Sequence, residues 1–204
     1  MAQASRTDQK RLKMNGKYCK HYPKLLQLGI PIMIGQLGTI VMGFADTLMI
    51  GHYGTDELAA AGFVNNIMGM VLIAGMGFSY GLTPVVGALL GQGNSHLIGG
   101  KLKNGLVANT LMASALMAVM AVLFLFMDRV GLPTHLIPLM RPYLLVLTLS
   151  VLPQMLFNAF KQFSDGIQDT KLPMWVLLGG NVMNIIGNWL LIYGVGPFPE
   201  LGLL

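Results

Sequence analysis

From Lys24 to Lys101 the chain contains no Lys or Arg between those two positions, and most of that interval is apolar. A water-soluble domain carries about 25% charged residues, whereas here 10% of 204 residues are charged and 54% are hydrophobic. A stretch so depleted of cations must be solvated by lipid. In hydrocarbon the backbone has to satisfy its own hydrogen bonds, which leaves helices or closed barrels. The apolar runs are too long for barrel strands, and the 26 Gly and 16 Met suit close-packed membrane helices. The composition therefore predicts an all-α integral membrane protein.

Crossing about 30 Å of hydrocarbon takes about 20 mostly apolar residues. By that measure five complete transmembrane helices are predicted, at Leu25–Ile50, Ala60–Leu89, Leu102–Met127, Tyr143–Phe160 and 173–193. The second is longer than needed and is expected to tilt, kink or emerge near Pro84. A sixth begins near position 199, at "PELGLL", and is cut short. Residues 1–24 form a basic leader holding Arg6, Lys10, Arg11, Lys13, Lys17, Lys20 and Lys24. The run after it exceeds the roughly 7–15 residues of a signal-peptide core, so it reads as a retained first span.

Charge then orients the bundle. Alternating the loops puts the leader with Lys101, Lys103, Lys161 and Lys171 on one side, and leaves Arg129 and Arg141 on the other. The positive-inside rule places the N-terminus in the cytoplasm, as expected for a multi-pass protein of the inner (plasma) membrane. The positive charge thus belongs to a membrane protein's topology, and no nucleic-acid partner is expected. Cys19 is the single cysteine, so neither a disulfide within the chain nor a cysteine metal cluster can form. His21, His52, His96 and His135 lie singly in predicted loops and are assigned no role.

One carboxylate, Asp46, falls inside a predicted span. An acid at the centre of a membrane helix costs about 2.5–3.5 kcal/mol on insertion scales, so it is retained where it has a partner or a task. Gln36, Thr39, Gly43 and Asp46 fall within about 80° on a helical wheel, with Ile34, Leu37, Val41, Phe44 and Leu48 opposite. That polar stripe is expected to face a bundle interior or a water-filled cavity. The plainer alternative is an acid near the end of its helix that reaches interfacial water.

The fifth span offers Asn181, Asn184 and Asn188 within about 60° of one another. Such amides serve either as interhelical hydrogen-bond glue or as carbonyl ligands to a small hard cation beside a carboxylate. Spacing leaves both open. The fourth span carries Ser150, Gln154 and Asn158 on one face beside Pro153, which frees a backbone carbonyl. These residues either line a cavity or pack structurally. Small-residue pairs at Gly77/Gly81 and Gly87/Gly91 would allow close helix approach, or are simply glycines that membrane helices tolerate. No HExxH, phosphate-binding glycine loop, paired acids or Ser/His/Asp set occurs at membrane depth, so an enzyme is not expected and no cofactor is called for.

These residues together resemble a known pattern. "P-x(4)-Q" at Pro31–Gln36, "ADTLMIGHYGTDELAAAG" around Asp46, "PVVGALLGQGN" from Pro84, "FSDGIQDTKLPM" from Phe163 and "NVMNIIGNWLLIYG" from Asn181 occur in the order and spacing of the N-terminal half of multidrug and toxic compound extrusion (MATE) transporters. The resemblance implies one lobe of a twelve-helix, two-lobe transporter, with the C-terminal lobe as a missing partner. It implies antiport: export of amphipathic, mostly cationic small molecules in exchange for Na⁺ or H⁺. It further implies a cation-coupling site at Asp46, Asn184 and Asn188, where Na⁺ would bind if Na⁺ is the coupling ion. Some family members have a second acid where this chain has Asn188, which leaves the choice of ion open. Gln36, Thr39, Gln154, Asn158 and Asn181 are the expected substrate-cavity residues. The competing readings are a lipid-linked oligosaccharide flippase of related architecture, which should hold more cations at membrane depth, and a truncated fragment that transports nothing.

Overall fold

The computed structural model describes residues 22–129 and 134–192. The leader up to residue 21 and the predicted start of a sixth helix lie outside the described residues. Helix α1 is Tyr22–Tyr53 and 32 residues long, about 48 Å at 1.5 Å per residue, so it outruns the hydrocarbon. Pro31 sits inside it, and its missing N–H leaves the Gln27 carbonyl without its helical donor. Gly54, in extended backbone, separates α1 from α2 (Thr55–Tyr80), whose first turn places Asp56 and Glu57 at the positive end of the helix dipole.

The second span is interrupted at Gly81, between α2 and α3 (Leu82–Gly91). Pro84 explains the position: its absent N–H is the one that would have bonded the Tyr80 carbonyl, so the ladder lapses just where α2 ends. After a turn with Gly93 at φ 77°, a conformation that favours glycine, and a short 3₁₀ turn at Ser95–Leu97, α4 covers Ile98–Phe126. Helix α5 covers Ile137–Gly166 and contains Pro142 and Pro153. A tight turn with Gln168 at φ 67° leads into α6, Lys171–Ile192.

The protein is an all-α membrane protein. Among the described residues, four helical segments are long and apolar enough to cross a bilayer: Leu25–His52, Thr55–Gly91, Ser95–Arg129 and Ile137–Gly166. Helix α6 has 22 residues, about 33 Å and so the length of a span, and despite its three asparagines it is no less apolar than α1 or α2.

The helices sort into two groups. Helices α2, α3, α4 and α5 pack on one another, whereas α1 packs mainly along α6. The core of the first group is apolar and rich in methionine: Val64 and Met68 from α2, Leu116 and Met120 from α4, Met140, Leu144, Val151 and Met155 from α5. Flexible thioethers fill the irregular space between these helices. Glycine enables the closest approaches, though not at the pairs the sequence offers. A Cβ on Gly75 would lie 2.6 Å from Met155 Sδ, and one on Gly166 would lie 2.8 Å from Val86 Cβ. Gly77 and Gly91 face open space and Gly87 makes only ordinary contact with Gly166. An i, i+4 spacing places two glycines on one face without specifying which face meets a neighbour.

Candidate functional site

The α1–α6 seam is built on small residues. Gly35 lies against Leu177, and Gly38 lies against Leu178 and Asn181, so closely that a Cβ on Gly38 would be 2.9 Å from Asn181 Nδ2. This approach brings the polar faces of the two helices together farther along the seam. Asn188 Nδ2 donates to Asp46 Oδ1 at 2.8 Å and to Asn184 Oδ1 at 3.2 Å. Asp46, Asn184 and Asn188 are all half-buried. Residues 142 positions apart in sequence thus form one carboxylate–amide cluster.

The acid has no cationic counterpart there. Among the described residues the ion pairs are Arg141–Asp128 and Lys161–Asp165, and neither involves Asp46. Nor is there, among the described residues, any group of three or more His, Cys, Asp or Glu that could hold a metal by those ligands alone. Asp46 meets the Asn188 amide through its N–H group, which also reaches Asn184 Oδ1, so the carboxylate oxygens suit a proton as they stand, and a small monovalent cation would gain an amide oxygen only if Asn188 turned over.

One further polar pair escapes a reading of sequence: the Tyr143 hydroxyl of α5 donates to Asn65 Oδ1 of α2 at 3.0 Å. The signal was available in part. Tyr143 lies seven residues before Ser150, hence within about 20° of it on the wheel, and extends the polar face of the fourth span outward. Asn65 sits in a span with no comparable stripe.

The remaining expected residues are more scattered. Gln36 and Thr39 are exposed, with the Thr39 hydroxyl bonded back to the Gly35 carbonyl at 3.2 Å. Asn181 is 9% exposed and turned into the seam against Gly38, and its Nδ2 has no hydrogen-bond partner among the described residues. Gln154 donates to Ser150 Oγ at 3.0 Å and Asn158 is half-buried on the same face of α5. These residues do not converge on one pocket within the described helices.

The family model described as MatE matches residues 31–190, most of the chain. The chain belongs to the MatE family. Among its relatives, a probable multidrug resistance protein NorM of Photorhabdus laumondii is 30% identical over 179 residues, covering 88% of this chain and 40% of that protein. The multidrug resistance protein NorM of Vibrio cholerae is 30% identical over 190 residues, 91% of this chain and 41% of the relative. The chain thus spans about 40% of the length of the curated relatives it matches. Among solved structures, an outward-facing multidrug resistance MATE family transporter of the MOP superfamily superposes with a TM-score of 0.77 at 18% identity, over 88% of this chain and 39% of the other. A Pyrococcus furiosus MOP superfamily transporter, described by a reversed polarity of its binding pocket, matches equally well at a TM-score of 0.77. At that identity the superpositions establish the MatE helical fold and nothing about substrate.

Proposed function

We propose that the chain forms the N-terminal lobe of a secondary active exporter, which moves amphipathic, mostly cationic compounds out of the cell in exchange for Na⁺ or H⁺. Its N-terminus would be cytoplasmic, and a C-terminal lobe would complete the transport cavity. The observation that carries this reading is the 2.8 Å contact between Asn188 and the Asp46 carboxylate across the α1–α6 seam. A coupling site needs a group whose charge changes when the ion arrives, and that group must touch an element able to respond. Asp46 and Asn188 meet both needs.

The cluster acts differently towards the two ions. For H⁺, the Asn188 amide donates to the carboxylate while it is ionised. Protonation removes the negative charge that makes that hydrogen bond strong, so α6 is held less firmly to α1. For Na⁺, the amide would turn over and present Oδ1 to the ion beside the Asp46 carboxylate and Asn184. How dry the site is sets the balance between carboxylic acid and carboxylate, which ties ion occupancy to the conformation that admits water. Gln36, Thr39, Gln154 and Asn158 would line the path of the exported compound in the assembled two-lobe protein, and Asn181 would be a seam residue next to it.

The test is gradient-driven efflux of a cationic dye from vesicles carrying this lobe together with its C-terminal counterpart. Efflux that is lost in Asp46→Asn and reduced in Asn188→Ala is the expected result. Full efflux by Asp46→Asn would remove the acid from the coupling mechanism.

A further inference from the structure

At the end of the bundle opposite Arg141, where Lys161 and Lys171 lie, a cleft of about 260 Å³ opens between the start of α1 and the α5–α6 turn. Gln27, Leu28, Gln168, Asp169, Thr170 and Lys171 line it. It is smaller than the roughly 300–1,000 Å³ of a typical drug-sized site and stands apart from Asp46.

Two prolines decide its chemistry. Thr170 immediately precedes α6, where a threonine hydroxyl ordinarily accepts from the N–H groups two or three residues on. Here the third residue is Pro173, which has no N–H, and the N–H of Leu172 is directed at Asp169 Oδ1, 3.4 Å away. The Thr170 hydroxyl consequently makes no hydrogen bond among the described residues, although the residue is only 4% exposed and borders the cleft. On the facing helix, Pro31 removes the donor of the Gln27 carbonyl in the same way. The cleft therefore gathers acceptors with capacity to spare: the Asp169 carboxylate, which takes the Leu172 N–H at 3.4 Å on one oxygen, the Thr170 hydroxyl and the Gln27 carbonyl. Among the described side chains, Lys171 is the cation that lines the cleft with them.

A plain anion is disfavoured by Asp169 and a plain cation by Lys171. A zwitterion with an N–H-rich ammonium and a phosphate answers both. We propose that this cleft binds the phosphoethanolamine headgroup of a membrane phospholipid, its ammonium donating to Asp169, Thr170 and the Gln27 carbonyl while Lys171 pairs with the phosphate. The position fits a lipid, because Leu28 is apolar and the adjacent α1 surface exposes Ile30, Met33 and Ile34, along which acyl chains can lie.

The experiment is native mass spectrometry of the full chain in detergent, loaded with phosphatidylethanolamine, its mono- and dimethylated forms, phosphatidylcholine or phosphatidylglycerol. Retention should fall as N–H groups are replaced by methyl, by about tenfold from phosphatidylethanolamine to phosphatidylcholine, the equivalent of one charge-assisted hydrogen bond. Asp169→Asn still accepts the Leu172 N–H, so it keeps the helix start, and it should bring phosphatidylethanolamine down to the phosphatidylcholine level. Thr170→Val should weaken phosphatidylethanolamine selectively, and Lys171→Gln should weaken all five phospholipids. Equal retention of the ethanolamine and choline lipids by the unaltered chain would overturn the proposal, as would an undiminished preference in both Asp169→Asn and Thr170→Val. Displacement of bound lipid by millimolar soluble phosphoethanolamine would overturn the assignment to a lipid and leave a site for the free zwitterion.

Discussion

Replacing Gly38 by alanine tests whether close approach along the α1–α6 seam is what holds Asn188 on Asp46. The new Cβ would stand 2.9 Å from Asn181 Nδ2 and 3.0 Å from Leu178 Cδ2. Ordinary carbon contacts lie at about 3.5–4.0 Å, so a gap of about 0.6–1 Å has to open. Both obstructing atoms are side-chain ends, but Asn181 is 9% exposed and has little room to turn, so part of the displacement falls on the helices. Asp46 is eight residues farther along α1, about 12 Å at 1.5 Å per residue. If the helices separate in parallel, the 2.8 Å bond lengthens to about 3.4–3.8 Å, at or beyond the range of a hydrogen bond.

The overpacking itself costs about 1–3 kcal/mol, and an interhelical hydrogen bond in a membrane is worth about 0.6–2 kcal/mol. Gly38→Ala should therefore lower the thermal midpoint in detergent and reduce gradient-driven efflux by about three- to thirtyfold, with Gly38→Leu worse on both counts. Asn188→Ala should add little on top of Gly38→Ala, since both remove the same contact. Gly43→Ala is the control, because a Cβ there meets nothing within 4 Å. Should Gly38→Ala match Gly43→Ala in stability and in efflux, the seam is not what positions the acid.

Gly75→Ala should destabilise the helix bundle by about 1–3 kcal/mol through contact with Met155 Sδ and Leu116 Cδ1; adding Met155→Val should recover part of the loss, read from thermal unfolding in detergent. Ser79 Oγ donates to Asn109 Oδ1 at 2.5 Å, joining α2 to α4 where both residues are buried. Ser79→Ala and Asn109→Ala should each cost about 0.6–2 kcal/mol, with the double variant well short of their sum in the same unfolding assay. Tyr143→Phe keeps the ring but loses the bond to Asn65 that joins α5 to α2, and should cost up to about 2 kcal/mol in the same unfolding assay.

Periodicity made the carboxylate–amide cluster legible. A lone acid in an apolar helix and three asparagines at i, i+3 and i+7 imply polar faces that must find each other, because neither can face lipid, and Asp46, Asn184 and Asn188 do meet. What periodicity does not carry is the distance of closest approach. Gly35, Gly38 and Gly75 are critical because of what stands opposite them, and nothing local distinguishes them from Gly77 or Gly91. Tyr143 and Asn65 are hidden for a related reason: each is an ordinary residue until α2 and α5 pair. Proline was legible as a disruption near 84, but the break falls at Gly81 because the lost bond belongs to Tyr80, four residues earlier.

The division of helices into two groups gives the chain a division of labour. The α2–α5 group is closed by interdigitated Met120, Met140 and Met155, where any separation opens voids and loses contacts. The α1–α6 seam is closed by glycines against leucine side chains and by a hydrogen bond to a carboxylate. Smooth glycine surfaces present no ridges to disengage, and the strength of the hydrogen bond depends on the charge of Asp46. A change in the charge of that single group would therefore act on the seam while leaving the methionine core untouched, and the proposed ion coupling would need an acid placed between α1 and α6 in this way.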